Sequence, residues 1–164
     1  MDKALTSRIE ANRKEYENGG RIEVYKIVDK KTHDYEKIYA CCDYFAKQGE
    51  KTIITPHVHY KDPLYKEVYG KLIGTKYERM CPDFKVGSNF YEHEGFDVNM
   101  NSDPKRTFGN MISRGVRQSD RIVIDDCGVT HRWAKRNIQV RVSSGAKINE
   151  VWILEKNGLL TRLY

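Results

Sequence analysis

The chain has 164 residues, 39% of them hydrophobic and 32% charged, and its formal net charge at pH 7 is +6. This length is enough for one domain with a full core and a small N-terminal appendage. No apolar run approaches the roughly 18 residues that a membrane-spanning helix needs. The first residues also lack the apolar segment of a signal peptide. The composition therefore excludes an integral membrane protein, and we expect a cytoplasmic location and no membrane partner.

Residues 1–80 show alternating helical and strand patterns. Leu5 and Ile9 have helical spacing, and the glycines at 19 and 20 end that pattern. In chain order we predict a helix over 2–17, a strand over 21–28, a helix over 35–48, a short strand over 51–55, and a helix from 62 or 63 to 69. Pro63 fits the first turn of the last of these helices.

The second half of the chain has clearer turn and cap signals. We predict strands over 83–86 and 89–96 with a turn at Gly87-Ser88, a helix over 104–119, a buried strand over 121–125, a helix over 130–142, and a hairpin of 150–154 with 159–163. Ser102 or Asp103 would cap the helix at 104, and Asn157-Gly158 is a strong hairpin signal. This order predicts an α+β (mixed α/β) fold, with a central mixed sheet flanked by helices and a C-terminal β-hairpin.

The positive charge is concentrated in one segment. Between Lys105 and Val142 there are nine Lys or Arg residues and three Asp residues. This excess of six equals the net charge of the whole chain. Clustered cations attract phosphates, which is the sequence-independent part of nucleic-acid binding. The segment therefore predicts a nucleic-acid partner.

The predicted hairpin of 83–86 with 89–96 carries Asp83, Glu92, His93 and Glu94. Glu92 and Glu94 share one strand face because side chains alternate along a strand. If Asp83 joins that face, three carboxylates can bind Mg²⁺ and activate water. His93 points the other way and is the alternative, as a metal-free general base or acid. A third interpretation is a charged edge hairpin that discourages aggregation.

The helix over 104–119 carries a polar stripe next to its apolar face. At 100° per residue, Thr107, Asn110, Arg114 and Gln118 fall beside the face that contains Phe108. Asn, Arg and Gln side chains can hydrogen-bond phosphates or base edges. We therefore predict a nucleic-acid contact set. Its members are Arg106, Thr107, Asn110, Arg114, Gln118 and, on the last strand, Arg162.

The run PDF…YEHEG…TFGNMISRGVRQSDRIVID resembles the C-terminal nuclease domain of contact-dependent inhibition and related polymorphic toxins, and related phage and mobile-element modules. The resemblance covers about residues 81–164. It divides the chain into a region of unknown role, 1–80, and a nuclease-like domain, 81–164. It implies phosphodiester cleavage.

Two superfamilies compete within this resemblance. In the PD…E-x-K nuclease fold, Asp83 and Glu92 would match the acidic pair and Gln118 the helical glutamine, whereas Glu94 stands where that fold carries Lys. In the barnase–EndoU–colicin–RelE-like group of metal-independent ribonucleases, the matching residues would be His93, Arg114, Thr161 and Arg162.

We therefore predict a toxin-related nuclease that acts on RNA in preference to DNA, with tRNA as the leading substrate. Asp83, Glu92 and Glu94 would hold Mg²⁺, or His93 would act without a metal. The alternatives are a non-catalytic nucleic-acid-binding or phage or mobile-element accessory protein and a metal-dependent DNA endonuclease. A third class is a protein–protein module that uses the Tyr-rich N-terminal half as its interface. An immunity protein or a phage or mobile-element protein is the expected protein partner.

Overall fold

The computed structural model describes residues 8–100 and 103–164. Within these residues the chain forms four α-helices and eight β-strands in mixed parallel and antiparallel order, and it ends in a β-hairpin. The predicted fold class is confirmed. None of the helices in the described part is long and apolar enough to cross a membrane. The chain divides into two compact units between Phe90 and Tyr91. The division at 80 and 81 into a region of unknown role and a nuclease-like domain stays a prediction.

Unit 1 is built around a parallel strand pair. Its strands are β1 (Lys14–Glu15), β2 (Arg21–Val24), β3 (Lys51–Ile54) and β4 (Phe84–Val86), and its helices are α1 (Tyr35–Lys47) and α2 (Pro63–Tyr69), which a short 3₁₀ turn (Gly70–Leu72) follows. β2 and β3 run parallel and α1 connects them, while β1 and β4 pair antiparallel on either side.

Aromatic side chains of α2 form much of the core of unit 1. Tyr65 and Tyr69 are buried with Tyr25 and Phe90, and the hydroxyl of Tyr69 donates to the carbonyl of Pro56 over 2.7 Å. α2 begins as the sequence predicts, because the side chain of Asp62 accepts from the N–H of Leu64. This cap and the buried aromatic face hold a helix of only seven residues in place.

Unit 2 begins inside β5 (Asn89–Glu94) and is a parallel sheet with a hairpin at its end. The remaining elements are α3 (Pro104–Gly115), β6 (Arg121–Asp125), α4 (His131–Ser143), β7 (Glu150–Leu154) and β8 (Leu160–Arg162). β5, β6 and β7 are parallel, and β8 returns antiparallel to β7. Phe108, Met111 and Ile112 of α3 pack with Ile122 and Ile124 of β6 in the core.

Arg141 joins the two helices of unit 2. From α4 its Nη1 donates to the Ser113 hydroxyl over 3.1 Å, and its Nη2 donates to the Gly109 carbonyl over 3.3 Å. Its Nε donates to Asn137 one turn earlier on α4. This guanidinium therefore fastens α3 against α4, and it is one of the nine cations of the basic segment.

The predicted N-terminal helix is wrong where the structure describes it. Over residues 8–17 the chain is extended, with a bridge from Ile9 to Tyr25 and the short strand β1. The turn before Gly20 returns β1 onto β2, and a Cβ at Gly20 would lie 1.8 Å from the carbonyl oxygen of Ala46. Pairing with β2 therefore overrides the helical spacing of Ile9. Residues 2–7 lie outside the described part.

Three smaller differences lie near the predicted site. α3 ends at Gly115 rather than at 119, β5 ends at Glu94 rather than at 96, and Asp83 precedes β4 instead of lying in it. A glycine suits the last position of α3 because the backbone there lies close to Ile122. A Cβ at Gly115 would lie only 2.7 Å from Ile122 Cγ2. Asp103 is the N-cap of α3, while Ser102, the other predicted cap, lies outside the described residues.

Candidate functional site

A groove of about 470 Å³ lies in unit 2, lined by α3 and by residues 96, 97, 100 and 103. Its lining residues are Phe96, Asp97, Met100, Asp103, Arg106, Thr107, Asn110, Met111 and Arg114. Four of the six residues that the sequence predicts to contact nucleic acid are among them. The structure thus brings Arg106, Thr107, Asn110 and Arg114 together at one concave surface.

The N-terminal cap of α3 and the packing of its apolar face orient these four side chains. The side chain of Asp103 accepts from the N–H of Lys105, and Pro104 occupies the first turn. The opposite side of the helix packs into the core through Phe108 and Ile112. As a result Arg106 and Asn110 are exposed along the groove.

Arg114 links the groove to the end of β5. Its Nε donates to a carboxylate oxygen of Glu94 over 2.7 Å, and its Nη2 donates to the carbonyl of Gly95, also over 2.7 Å. The side chain of Glu94 is 12% exposed and that of Arg114 is 44% exposed. These two contacts use Nε and Nη2, and Arg114 also lines the groove.

Gln118 and Arg162 do not line the groove. Gln118 follows α3 in a turn, where its N–H donates to the carbonyl of Gly115. Arg162 lies on β8, where its guanidinium is 5.6 Å from the centre of the Trp152 ring and its Nε donates to the carbonyl of Tyr164. The predicted contact set is therefore divided among three places in unit 2: the groove, the turn after α3 and β8.

His93 is buried and paired with Asp125. Its Nε2 lies 2.8 Å from a carboxylate oxygen of Asp125, and the two side chains are 1% and 7% exposed. In the sheet register Glu92 and Glu94 lie opposite Ile122 and Ile124, whereas His93 lies opposite Val123. The predicted alternation of Glu92 and Glu94 against His93 is present. Glu92 and His93 are both buried, with 8% and 6% of their surfaces exposed, and their catalytic roles stay predictions.

Asp83 belongs to unit 1, where it pairs with His57. The His57 Nε2 lies 3.3 Å from the Asp83 carboxylate. This hydrogen bond raises the pKa of His57 although burial opposes the shift. Both residues line a second groove of about 320 Å³, which the loops after β2 and β3 also line. This pair was not predicted from the sequence, because the two residues lie 26 positions apart.

The predicted Mg²⁺ ligands have other partners. Asp83 lies beside His57 and Glu94 lies beside Arg114. Within residues 8–100 and 103–164, no group of three or more His, Cys, Asp or Glu side chains is placed to hold a metal ion. Mg²⁺ dependence therefore stays a prediction.

A hydrogen-bonded cluster joins β5 to β7 in unit 2. The hydroxyl of Tyr91 donates to Glu150 over 2.6 Å, and the indole N–H of Trp152 donates to the same oxygen over 2.9 Å. Burial, and then the bond to Glu150, raise the pKa of Tyr91. Burial would raise the pKa of Glu150, but the bonds from Tyr91 and Trp152, together with the charges of Arg162 and Arg121, lower it.

Phe96, Asp97 and Asp103 are groove residues that were not predicted as site residues from the sequence. Phe96 ended the predicted strand over 89–96, and Asp103 was predicted only as a helix cap. They lie between the acidic end of β5 and the start of the basic helix α3. This location in the sequence could have marked them as candidate site residues.

Comparison with known proteins gives no family assignment. No protein-family model matches the chain, and no curated protein matches it. A solved structure described as a CdiA-CT/CdiI toxin and immunity complex from Burkholderia pseudomallei is similar, at 15% sequence identity. The similarity covers 82% of this chain and 86% of that chain, with a TM-score of 0.48.

Proposed function

We propose that this chain is a nuclease that binds RNA at the groove beside α3 and cleaves a phosphodiester bond there. One observation carries the proposal: four side chains predicted to contact nucleic acid line a single groove, and one of them, Arg114, is held by Glu94. The basic segment, whose net positive charge equals that of the whole chain, supports a polyanionic partner.

The proposed chemistry uses Arg114 and Glu94 together. A substrate phosphate competes with the Glu94 carboxylate for the guanidinium of Arg114, because both are anionic oxygen groups that bind in the same geometry. Arg114 then stabilises the charge that develops on the phosphate. The released carboxylate accepts the proton of the ribose 2′-hydroxyl as its oxygen forms a bond to phosphorus. The P–O5′ bond breaks, solvent protonates the leaving 5′-oxygen, and the other product is a 2′,3′-cyclic phosphate.

The test is a cleavage assay with the purified full chain. Labelled tRNA and duplex DNA would each be incubated with Mg²⁺ or with EDTA, and the products separated on a gel. We expect cleavage of tRNA and its loss in Arg114→Ala. Arg13→Ala is the matched control, since Arg13 is also an exposed arginine in surface ion pairs but lies in unit 1.

The outcomes separate the alternatives. Cleavage that survives EDTA would rule out dependence on Mg²⁺, whereas cleavage of duplex DNA with Mg²⁺ alone would favour the metal-dependent DNA endonuclease. Equal loss of activity in Arg13→Ala and Arg114→Ala would remove the groove from the proposal.

A non-catalytic nucleic-acid-binding protein is the second candidate. Glu94 already forms an ion pair, and Glu92 and His93 are buried. If neither nucleic acid is cleaved while both bind in a salt-dependent manner, this second function replaces the first.

Toxin action and an immunity or mobile-element protein as partner also stay proposals, and the sequence resemblance supports them. Expression of the wild-type chain in a bacterial host would arrest growth if the chain is a toxin, and expression of the Arg114→Ala variant would not. Normal growth with the wild-type chain, confirmed to be present and folded, would argue against toxin action.

A further inference from the structure

The groove in unit 2 is lined by groups of different chemistry. Along α3 it carries Arg106 and Arg114, with Asn110 between them in the helix. The carboxylates of Asp97 and Asp103 and the ring of Phe96 line it as well. A phosphate backbone is attracted to the two guanidinium groups and repelled by the carboxylates, so we expect a base, and not a phosphate, to contact Phe96.

Three apolar side chains that line the groove, those of Phe96, Met100 and Met111, can contact a planar base. The ring of Phe96 packs against the core and remains partly exposed. Met100 is exposed and Met111 is buried beneath the groove. Aromatic rings and thioethers make favourable contacts with the π-faces of bases. Asn110 adds an amide that can hydrogen-bond a base edge.

The groove is concave and its size matches a small organic group. A volume of about 470 Å³ lies within the range of pockets that enclose small ligands. A base in a duplex is stacked and paired, so only its edge is presented to a protein, whereas an unpaired base can be turned into a pocket and stacked on an aromatic ring.

We propose that this groove selects unpaired nucleotides, holding one base against Phe96 while Arg106 and Arg114 bind the neighbouring phosphates. This inference rests on the proposed binding of nucleic acid at the same groove. The two arginines are two helical turns apart, about 12 Å along α3, so they contact phosphates on either side of the inserted base. The substrate class is therefore single-stranded RNA or the unpaired loop of a folded RNA.

Binding by fluorescence anisotropy tests the inference, with EDTA present and with Glu94→Gln as the protein if cleavage persists. The probes are a labelled single-stranded RNA, its duplex, and the same single strand with internal abasic sites that retain every phosphate. We expect the intact single strand to bind at least tenfold more tightly than either other probe.

Phe96→Leu keeps an apolar side chain for the core and removes the aromatic ring. We expect it to weaken binding of the intact single strand about fivefold or more and to leave the duplex and abasic probes unchanged. Tyr60→Leu is the matched control, because Tyr60 is an exposed aromatic residue with Arg79 over its ring but lies in unit 1.

The results distinguish this inference from the proposed function. Equal affinity for all three probes, or an unchanged preference in a folded Phe96→Leu variant, would overturn base selection and leave binding at the groove intact. If the folded protein binds no probe at all, both proposals fail.

Discussion

Arg114 and Glu94 form an ion pair that restrains the guanidinium group and occupies the carboxylate. The guanidinium is held at 2.7 Å by a largely buried carboxylate and still reaches the groove. In the proposed function, a substrate phosphate that binds Arg114 competes with Glu94, so we expect affinity and cleavage to depend on this pair in opposite directions.

Glu94→Gln tests that opposition. A neutral amide holds Arg114 less strongly than a carboxylate does, so we expect the affinity for single-stranded RNA to rise several-fold. Cleavage should fall by about a hundredfold or more, because general-base catalysis typically contributes roughly 10²–10⁴-fold. Anisotropy and a cleavage time course measure the two effects. Lower affinity together with unchanged cleavage would show that Glu94 neither restrains Arg114 nor acts as the base.

Gly115→Ala tests the close approach of α3 to β6. The new Cβ would lie 2.7 Å from Ile122 Cγ2 and 3.4 Å from Glu94 Cγ. Because Ile122 is fully buried, we expect a loss of about 1–3 kcal/mol in the free energy of unfolding, as for other overpacked cores. Gly70→Ala is the control, since a Cβ at that position would have no other atom within 4 Å among the described residues. Urea titration would compare the two variants, and equal stability would contradict the close packing.

Tyr91→Phe removes the hydroxyl that donates to Glu150. Hydrogen bonds to charged groups contribute about 1.5–3 kcal/mol, and we expect a loss of this size in the free energy of unfolding at pH 7. Trp152 still donates to the same carboxylate oxygen, which limits the loss. A chemical denaturation curve measures it, and a change below about 0.5 kcal/mol would show that this bond contributes little.

The hydrogen-bonded pair of Tyr91 and Glu150 predicts that the stability of the fold decreases both at low pH and at high pH. The pKa of Glu150 lies below its ordinary value of 4.5, so its contribution is present above that pH and is lost on acidification. The pKa of Tyr91 lies above its ordinary value of 10, so its contribution is present below pH 10 and is lost at higher pH. In Tyr91→Phe we expect a smaller loss of stability at low pH and also at high pH. An unchanged dependence of the free energy of unfolding on pH would contradict the two pKa shifts.

His57 and Asp83 allow a direct measurement in unit 1. We expect the imidazole signal of His57 to titrate above pH 6.5 in an NMR experiment, because the Asp83 carboxylate raises its pKa. The favourable contribution to stability is then full below pH 6.5 and is lost as the pH rises through the pKa of the folded state. Asp83→Asn should move the midpoint down, and His57→Gln identifies the signal. A midpoint that does not respond to Asp83→Asn would exclude this contact.

The elements of residues 81–164 were largely predictable because their signals are local. The apolar run at Arg121–Asp125 forms β6, and Asn157-Gly158 turns β7 into β8. The polar stripe of α3 was visible from the spacing of Thr107, Asn110 and Arg114, and it does line a groove.

What the sequence did not reveal depends on partners that are distant along the chain. Ile9 has helical spacing with Leu5 but bridges to Tyr25. Neither that pairing nor the one between His57 and Asp83 leaves a local pattern. Likewise the burial of His93 follows from tertiary packing, which strand alternation alone does not determine.

The contacts of Arg141 have a consequence for the free energy of binding. By tying α3 to α4 at Ser113 and Gly109, this residue makes the cationic wall of the groove a preorganised surface. A strand that docks on it loses little affinity to the ordering of the protein, because that ordering has already taken place during folding.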